Sequence, residues 1–167
     1  MKLRQYLLLI TGILSIEFLS CNSSAVSKND QYKFLNWYVE NYHPENLSDK
    51  LIPIENFGSS LTQIYNAQDD SCKFSKEDRL FISQQVISNN KIKILSKADF
   101  RNANWKEKKV ESSTNLSLPV FSKDKTIVII NRWYYCGMLC DDGGMEVFKW
   151  KGGHWKKITL HIPHIVS

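Results

Sequence analysis

The sequence predicts an α+β fold in which amino-terminal helices pack on a carboxy-terminal antiparallel sheet. In the first half of the chain, residues 30–43 and 75–89 carry apolar residues at helical spacings. The last third instead carries a continuous β-branched run, and a Gly-Gly pair between two further apolar segments, which indicate strands and a hairpin. Helices that precede the strands, rather than alternate with them, are typical of an α+β domain.

The composition and length favour one folded domain. The chain has 167 residues, of which 43% are apolar and 12% aromatic, and this argues against a disordered polymer. We expect residues 1–20 to be a signal peptide, residues 21–29 a tether and residues 30–167 the domain. The 22 basic and 17 acidic side chains give a surplus that helps solubility and says little about partners. Since no apolar run reaches roughly 18 residues, a multi-pass membrane protein is not expected.

The first predicted helix spans residues 30–43. Phe34, Leu35 and Tyr38 form its apolar stripe, Asp30 is placed to cap its start and Pro44 to stop it. The stripe predicts a helix with one face in the core.

The second predicted helix opens at Ser75-Lys76-Glu77-Asp78, a variant of the capping box, and runs to about Asn89. We expect Gln84 and Gln85 to point away from its apolar side. The apolar positions are Leu80, Phe81, Ile82, Val86 and Ile87. Residues 91–95 follow with alternating isoleucine and lysine, and could add a short strand.

Two features predict the sheet. The run Thr126-Ile127-Val128-Ile129-Ile130 has no polar break, which is typical of a strand covered on both faces. Gly152-Gly153 predicts a hairpin between residues 145–151 and 155–162, because both glycines can take positive φ.

A two-residue turn at Gly152-Gly153 fixes a cross-strand register. The opposed pairs would be Trp150 with Trp155, Val147 with Ile158, Met145 with Leu160, and Lys149 with Lys156. Facing lysines are unfavourable. Either these two side chains splay into solvent or a bulge shifts the register.

The aromatic residues predict which elements form the main core. Of the 18 aromatics after Cys21, five lie in residues 32–42 and six in residues 133–155. This clustering suggests that the first helix packs on the sheet, and a curled sheet around a helix, as in cystatin-like folds, would suit it by analogy. The alternative is an aromatic surface platform for sugars.

The amino terminus has the layout of a secretory signal. A basic start containing Lys2 and Arg4 precedes an apolar stretch, residues 7–16, which Glu17 ends. Ten apolar residues are too few for a permanent anchor. We therefore expect export.

The segment Phe18-Leu19-Ser20-Cys21 resembles the lipobox of bacterial lipoproteins. The resemblance covers about 21 residues and departs from the usual pattern at Phe18 and Leu19. It implies that Cys21 receives a diacylglyceryl thioether and becomes the first mature residue, and further acylation by palmitate-like chains would hold the protein on a membrane. The expected place is the bacterial cell envelope, on the outer membrane. The alternative is ordinary cleavage after Ser23-Ser24-Ala25, which would release a soluble periplasmic or secreted protein.

The remaining cysteines suggest a disulfide. Outside the cytoplasm, two nearby cysteines pair by default, and Cys136 and Cys140 bracket a short segment. Positions four apart in a straight strand lie about 13 Å apart, whereas a bridge needs about 7 Å, so the chain must turn there. A long bridge from Cys72 to either cysteine would stabilise more, on the chain-entropy model. We favour the pair Cys136–Cys140, with Cys72 left outside the bridge.

The same residues bear on several other kinds of chemistry. A catalytic thiol would need a base such as His154, His161 or His164, yet no thiol-enzyme signature is present. The histidine spacing matches no helical or finger metal site, so we expect no metal and no cofactor. Asp141-Asp142-Gly143-Gly144 lacks the alternating ligands of a calcium loop and is interpreted as a turn. Nucleic acid is not an expected partner, because no base-reading module is recognisable.

The last third also resembles the carboxy-terminal end of many uncharacterised exported bacterial lipoproteins. The residues that carry this likeness are Leu118-Pro119-Val120-Phe121, the β-branched run, the Cys-Gly-x-x-Cys segment and Gly152-Gly153-His154-Trp155. Asp141 departs from the glycine that is commoner there. The resemblance implies a folded exported domain and no particular reaction.

These features together predict a membrane-anchored, non-catalytic binding or interaction module. Its expected contact surface is the loop of Gly137, Met138, Leu139, Asp141 and Asp142, and its expected partners are the membrane, through Cys21, and an envelope protein or ligand. The alternative is a cell-envelope enzyme that uses a thiol or a carboxylate.

Overall fold

The computed structural model describes residues 25–55, 60–67, 72–100, 102–107, 109, 111–137 and 141–160. Within them, three helices and a short 3-10 turn (Lys97–Asp99) precede five strands. The helices are α1 (Lys28–Tyr42), α2 (Leu61–Asn66) and α3 (Lys76–Asn89), and the strands are β1 (Ser113–Leu116), β2 (Val120–Phe121), β3 (Ile127–Tyr135), β4 (Asp141–Lys151) and β5 (His154–Ile158).

The strands form one open antiparallel sheet, in the order β1, β3, β4, β5, with β2 also paired to β3. The register of β3 with its two short partners slips by one residue, since Ser113 faces Tyr135 but Val120 faces Ile129. The slip falls at Ser117, between β1 and β2, where the Ser117 hydroxyl accepts a hydrogen bond from the backbone N–H of Asn131 at 2.9 Å. The predicted α+β class, with helices before an antiparallel sheet, is confirmed.

The central strand β3 is covered on both faces, as its β-branched run predicts. Every side chain from Ile127 to Ile130 is buried. Val128 and Ile130 belong to one apolar cluster, whereas Ile127 and Ile129 belong to another. The sheet is therefore the middle layer between two cores, because successive side chains of a strand point to opposite faces.

Helix α1 covers the first face, and this confirms the core predicted from the aromatic residues. Phe34 is buried, and its ring lies 5.4 Å from those of Phe148 and Trp155, in edge-to-face arrangements. Leu35 and Tyr38 are buried beside it. Burying one such side chain contributes about 1.5–3 kcal/mol, so this contact is a major part of the fold's stability.

Helices α2 and α3 supply the cover of the second face. Ile64 of α2 and Ile82 of α3 pack in one cluster with Ile129 and Val147 of the sheet. The segment before α3 adds Cys72, which is only 3% exposed. This second core was not predicted as a unit from the sequence.

The caps of α1 differ from the prediction. Ser27, rather than Asp30, is the N-cap, and Asp30 is the third helical residue of a reciprocal capping box. The helix thus begins at Lys28, so its first two residues overlap the end of the expected tether. Its end is closed by His43, which has a φ of 44° and donates its backbone N–H to the Val39 carbonyl.

Helix α3 begins at its predicted capping box and ends at Asn89, as predicted. The prediction of which side chains it buries is wrong. Leu80 and Ile87 are 63% and 65% exposed, whereas Gln85 is buried. The Gln85 amide accepts from the Phe121 N–H at 2.9 Å and donates to the Phe121 carbonyl at 2.8 Å. Gln85 is buried because its side-chain amide pairs with the backbone N–H and C=O of Phe121 in the short strand β2.

The β4–β5 hairpin forms in the predicted register. Trp150 faces Trp155, Val147 faces Ile158, and Lys149 faces Lys156 across a turn in which Gly152 and Gly153 both have positive φ. Met145 and Leu160 both pack against the second core. No bulge is needed, so the lysine pair is tolerated at the tip.

The possible strand at residues 91–95 is reduced to a single bridge. Lys50 pairs with Ile94, and the segment beside Lys50 runs along β1 through a hydrogen bond from the Ser48 amide to the Thr114 carbonyl. This segment extends the sheet at the edge opposite β5.

We expect Gln85→Leu to destabilise the domain by about 2–4 kcal/mol, because it leaves the buried N–H and C=O groups of Phe121 without their partner. Urea denaturation gives the free energy of unfolding. Gln84→Leu is the matched control, since Gln84 is exposed on the same helix and should change it by less than about 0.5 kcal/mol. Equal effects of the two variants would contradict the role given to Gln85.

Candidate functional site

Helix α1 lies on one face of the sheet, and a cavity opens at each end of it. One cavity adjoins the first half of α1 and the β4–β5 hairpin, and the other adjoins the last turn of α1. The two differ in chemistry, because the first is lined by tryptophans and the second by charged and phenolic groups.

The first cavity, which we name the tryptophan cleft, is defined by Trp37, Trp150, Trp155, Phe34 and Phe121. Its volume is about 480 Å³, which lies in the range of small-molecule sites. The hairpin register places Trp150 directly opposite Trp155, with their rings 5.1 Å apart. Trp37 comes from α1, one turn after Phe34, so the cleft is built by the two elements that form the first core.

The aromatic rings of the cleft differ in exposure. Trp155 is half-buried and meets Phe34 edge to face at 85°. Trp150 is 45% exposed. The inner wall is thus fixed by packing, while the outer wall leaves an indole open to solvent or to a bound molecule.

Charged groups border the cleft, and two of them, Asp30 and Lys125, bind each other. Lys125 donates to the Asp30 carboxylate at 2.9 Å. This hydrogen bond lowers the pKa of Asp30, more than its burial raises it, and the bond from Ser27 acts in the same direction. Burial alone would raise the pKa of Asp124, but bonds from Ser122 and Thr126 lower it below its ordinary value. Both carboxylates are therefore ionised near neutral pH.

The second cavity, the polar cavity, has a volume of about 530 Å³. Its walls include Tyr38 and Tyr42 of α1 and three residues of the sheet, Arg132, Glu146 and Lys157. Tyr42 stacks on Tyr38 with ring centroids 4.9 Å apart. These residues continue the sheet face that α1 covers, so the face passes from apolar to charged along the strands.

Glu146 is the centre of the polar cavity. Its carboxylate is 10% exposed and accepts from Lys157 Nζ at 2.7 Å, Arg132 Nε at 3.3 Å and Tyr38 Oη at 3.1 Å. Burial and the nearby Glu146 charge raise the pKa of Tyr38 far above its ordinary range, so the phenol stays protonated and donates. Burial alone would lower the pKa of Arg132, but its hydrogen bond to Asp142 raises it. The charges are thus largely compensated within the protein, which favours a structural network.

Only part of the predicted interaction loop lies within the described residues. Met138, Leu139 and Cys140 lie outside the described residues, as does Cys21, so lipidation and the Cys136–Cys140 bridge stay predictions. Gly137 follows β3 with a φ of 107°.

The turn expected at Asp141-Asp142-Gly143-Gly144 is wrong, because β4 begins at Asp141. Asp142 instead pairs with Tyr134 across the ladder and accepts from Arg132 at 2.8 Å. Gly143 is required by a close approach, since a Cβ there would lie 2.6 Å from the Trp133 ring. Gly143, which suggested a turn, therefore serves strand packing, and the expected loop is shorter by two residues.

Among the described residues, the candidates for catalysis do not lie together. Cys72 is buried in the second core, while His154 lies exposed in the hairpin, with its Nδ1 3.1 Å from the Gly152 carbonyl oxygen. His161 and His164 lie outside the described residues. Among the described residues, no group of three or more histidine, cysteine or acidic side chains is placed to hold a metal ion. No helix within the same part of the chain is long and apolar enough to cross a membrane.

Sequence reasoning missed both cavities as sites. The hairpin register already placed Trp150 beside Trp155, but the position of Trp37 depends on how α1 crosses the sheet. Glu146 and Arg132 come together because their strands are neighbours, and no local pattern marks that pairing. Only the notion of an aromatic sugar platform pointed toward the tryptophan cleft.

The fold and its cleft define an α+β domain with a candidate small-ligand site between one helix and a hairpin. Comparison with models of protein families, with curated proteins and with solved structures found no match for this chain.

Asp30→Ala should destabilise the domain by about 1 kcal/mol at neutral pH, because it removes the capping box and the bond to Lys125. The folded-state pKa of Asp30 is below the ordinary 3.8, so its contribution is full above that pH and is lost as pH falls through the folded-state value. Denaturation curves at pH 7 and pH 2 should show the difference from wild type shrinking in acid. Glu40→Ala, an exposed carboxylate of the same helix, is the control; a difference that grows in acid would contradict the assignment.

Proposed function

We propose that this chain is an exported lipoprotein of the bacterial cell envelope, held on a membrane by acyl chains on Cys21, and that it works as a binding module. The lipobox-like segment supports the anchor. The domain begins soon after it, since Ser27 caps α1 only six residues beyond Cys21. The proposal therefore joins a short tether to a small folded domain.

The tryptophan cleft is the single observation that carries the binding role. Aromatic side chains left open in a concave site offer apolar area that a ligand would remove from water. Trp150 is exposed although it lies at the edge of the main core. The Asp30–Lys125 pair and Lys33 border the cleft and supply polar groups that would orient a ligand.

The ligand class that suits this arrangement is a molecule with a flat apolar face and polar edges, such as a sugar ring of an envelope glycan. Its face would lie on the indoles, and its hydroxyl groups would meet the charged border. The internally paired polar cavity offers less for such a ligand, because Glu146, Arg132 and Lys157 already bind one another.

Intact mass of the protein extracted from bacterial membranes tests the anchor. We expect a mature chain that starts at Cys21 and carries a diacylglyceryl group with further acyl mass. Measuring the same sample before and after reduction also reports whether Cys136 and Cys140 are bridged. A mature chain that begins after Ala25 without acyl mass would overturn the lipoprotein proposal and leave the cleft untouched.

Calorimetric titration with soluble glycan fragments from bacterial peptidoglycan tests the cleft. Trp150→Ala should weaken binding by about tenfold, because one stacking contact of roughly 1.4 kcal/mol is lost. The thermal midpoint should change little, since the indole is 45% exposed. Tyr135→Ala, at the other end of the sheet and 39% exposed, is the control and should bind like wild type. Unchanged affinity in Trp150→Ala, or no binding by wild type, would overturn this ligand assignment.

A further inference from the structure

The β4–β5 hairpin ends in a surface that is both basic and aromatic. We name this surface the basic tip and define it by the exposed side chains of Trp150, Lys151, His154 and Lys156. Lys151 and Lys156 therefore present positive charge to solvent at the end of the hairpin, and such a surface attracts an anionic partner.

The turn between β2 and β3 extends this surface. Trp150 donates its backbone N–H to the Thr126 carbonyl at 2.8 Å, which places the turn beside the hairpin. Lys123 of that turn is exposed and adds a further positive charge.

The described carboxylates at this end are hydrogen-bonded within the protein. Asp30 binds Lys125, Asp124 binds Ser122 and Thr126, and Asp78 accepts the backbone N–H of Lys123. Bonds to neutral groups do not cancel a carboxylate charge, so all three count. The described side chains at this end also include five lysines, Lys33, Lys123, Lys125, Lys151 and Lys156, so the end carries a net positive charge.

The same end of the domain carries the start of α1. The 2.9 Å contact between Lys125 and Asp30 places the first turn of α1 beside the β2–β3 turn, and so beside the hairpin. Cys21 precedes Ser27 by six residues, which span at most about 20 Å when fully extended. A lipid on Cys21 therefore cannot lie further than that from the start of the helix.

We propose that the basic tip docks on the anionic phospholipid surface of the membrane that holds the anchor. Lysines near an anionic surface favour binding by about fivefold each, and tryptophan is favoured at the boundary between headgroups and acyl chains. The closeness of the membrane rests on the proposed anchor at Cys21, whereas the affinity of the tip rests only on its own side chains. Docking would fix the orientation of the domain relative to the membrane surface.

The test uses the full chain with Cys21→Ser, which cannot be acylated there, and vesicles of phosphatidylglycerol with phosphatidylcholine. Diethylpyrocarbonate modifies exposed histidines, and mass spectrometry reads each site. His154 should be modified at least tenfold more slowly with anionic vesicles than with pure phosphatidylcholine. His43 is the internal control, since it is exposed at the opposite end of α1 and should react equally in both.

A second variant shows which charges are responsible. Lys151→Gln with Lys156→Gln should weaken binding to the anionic vesicles by about 30-fold, which is two lysines at roughly 1 kcal/mol each. Lys50→Gln with Lys93→Gln removes the same charge at the sheet edge opposite β5 and should weaken it by less than about threefold. The residues before Cys21 are the same in all these chains, so their contribution to vesicle binding is the same in each.

Protection of His154 that is absent, or equal to that of His43, would overturn the docking proposal. So would equal loss of binding in the two lysine variants, because it would show a response to net charge alone. Protection by soluble peptidoglycan fragments but not by vesicles would assign the tip to a glycan instead and would also overturn it. None of these outcomes depends on acylation, so the anchor is tested separately by the intact mass.

Discussion

The fold depends on a central strand that must be covered on both faces. The side chains of β3 from Ile127 to Ile130 are all apolar and buried, and alternate ones point to opposite sides of the sheet. One helix cannot cover both sides. Helix α1 covers one side through Phe34 and its neighbours, and α2 with α3 covers the other, so the helices before the sheet are required by the composition of a single strand.

The same strand explains where the candidate sites lie. Apolar cover is complete at the middle of the sheet face under α1, where Val128, Ile130 and Phe148 pack. Toward the end of β3 the face turns polar at Arg132, and the groups there bind one another around Glu146. Toward the hairpin it stays apolar, but α1 has only its first half to cover the indoles. The tryptophan cleft is therefore where the cover of an apolar face is incomplete, and the polar cavity is where that face has ended.

Local signals in the sequence predicted local structure well. The capping box at Ser75 placed α3 correctly, and Gly152-Gly153 gave the hairpin with its register, because both features act through neighbouring residues. Prediction failed where a distant partner decides the outcome. Gln85 is buried because β2 needs backbone partners, and Gly143 allows close packing against Trp133. The cleft could be predicted only in part, since Trp150 and Trp155 are paired by the turn while Trp37 depends on how α1 crosses the sheet.

Under the two proposals, the anchor at Cys21 and the basic tip hold the same end of the domain against the membrane. The start of α1, the basic tip and the tryptophan cleft share one end of the domain, because Asp30, Lys125 and Trp150 all border the cleft. A tip that rests on the membrane would hold the mouth of the cleft near the headgroups and turn the polar cavity, at the last turn of α1, away from them. A glycan bound in the cleft would then be held close to the membrane surface. The exposed indole of Trp150 belongs to both surfaces, so occupancy of the cleft and docking of the tip would influence each other through that side chain.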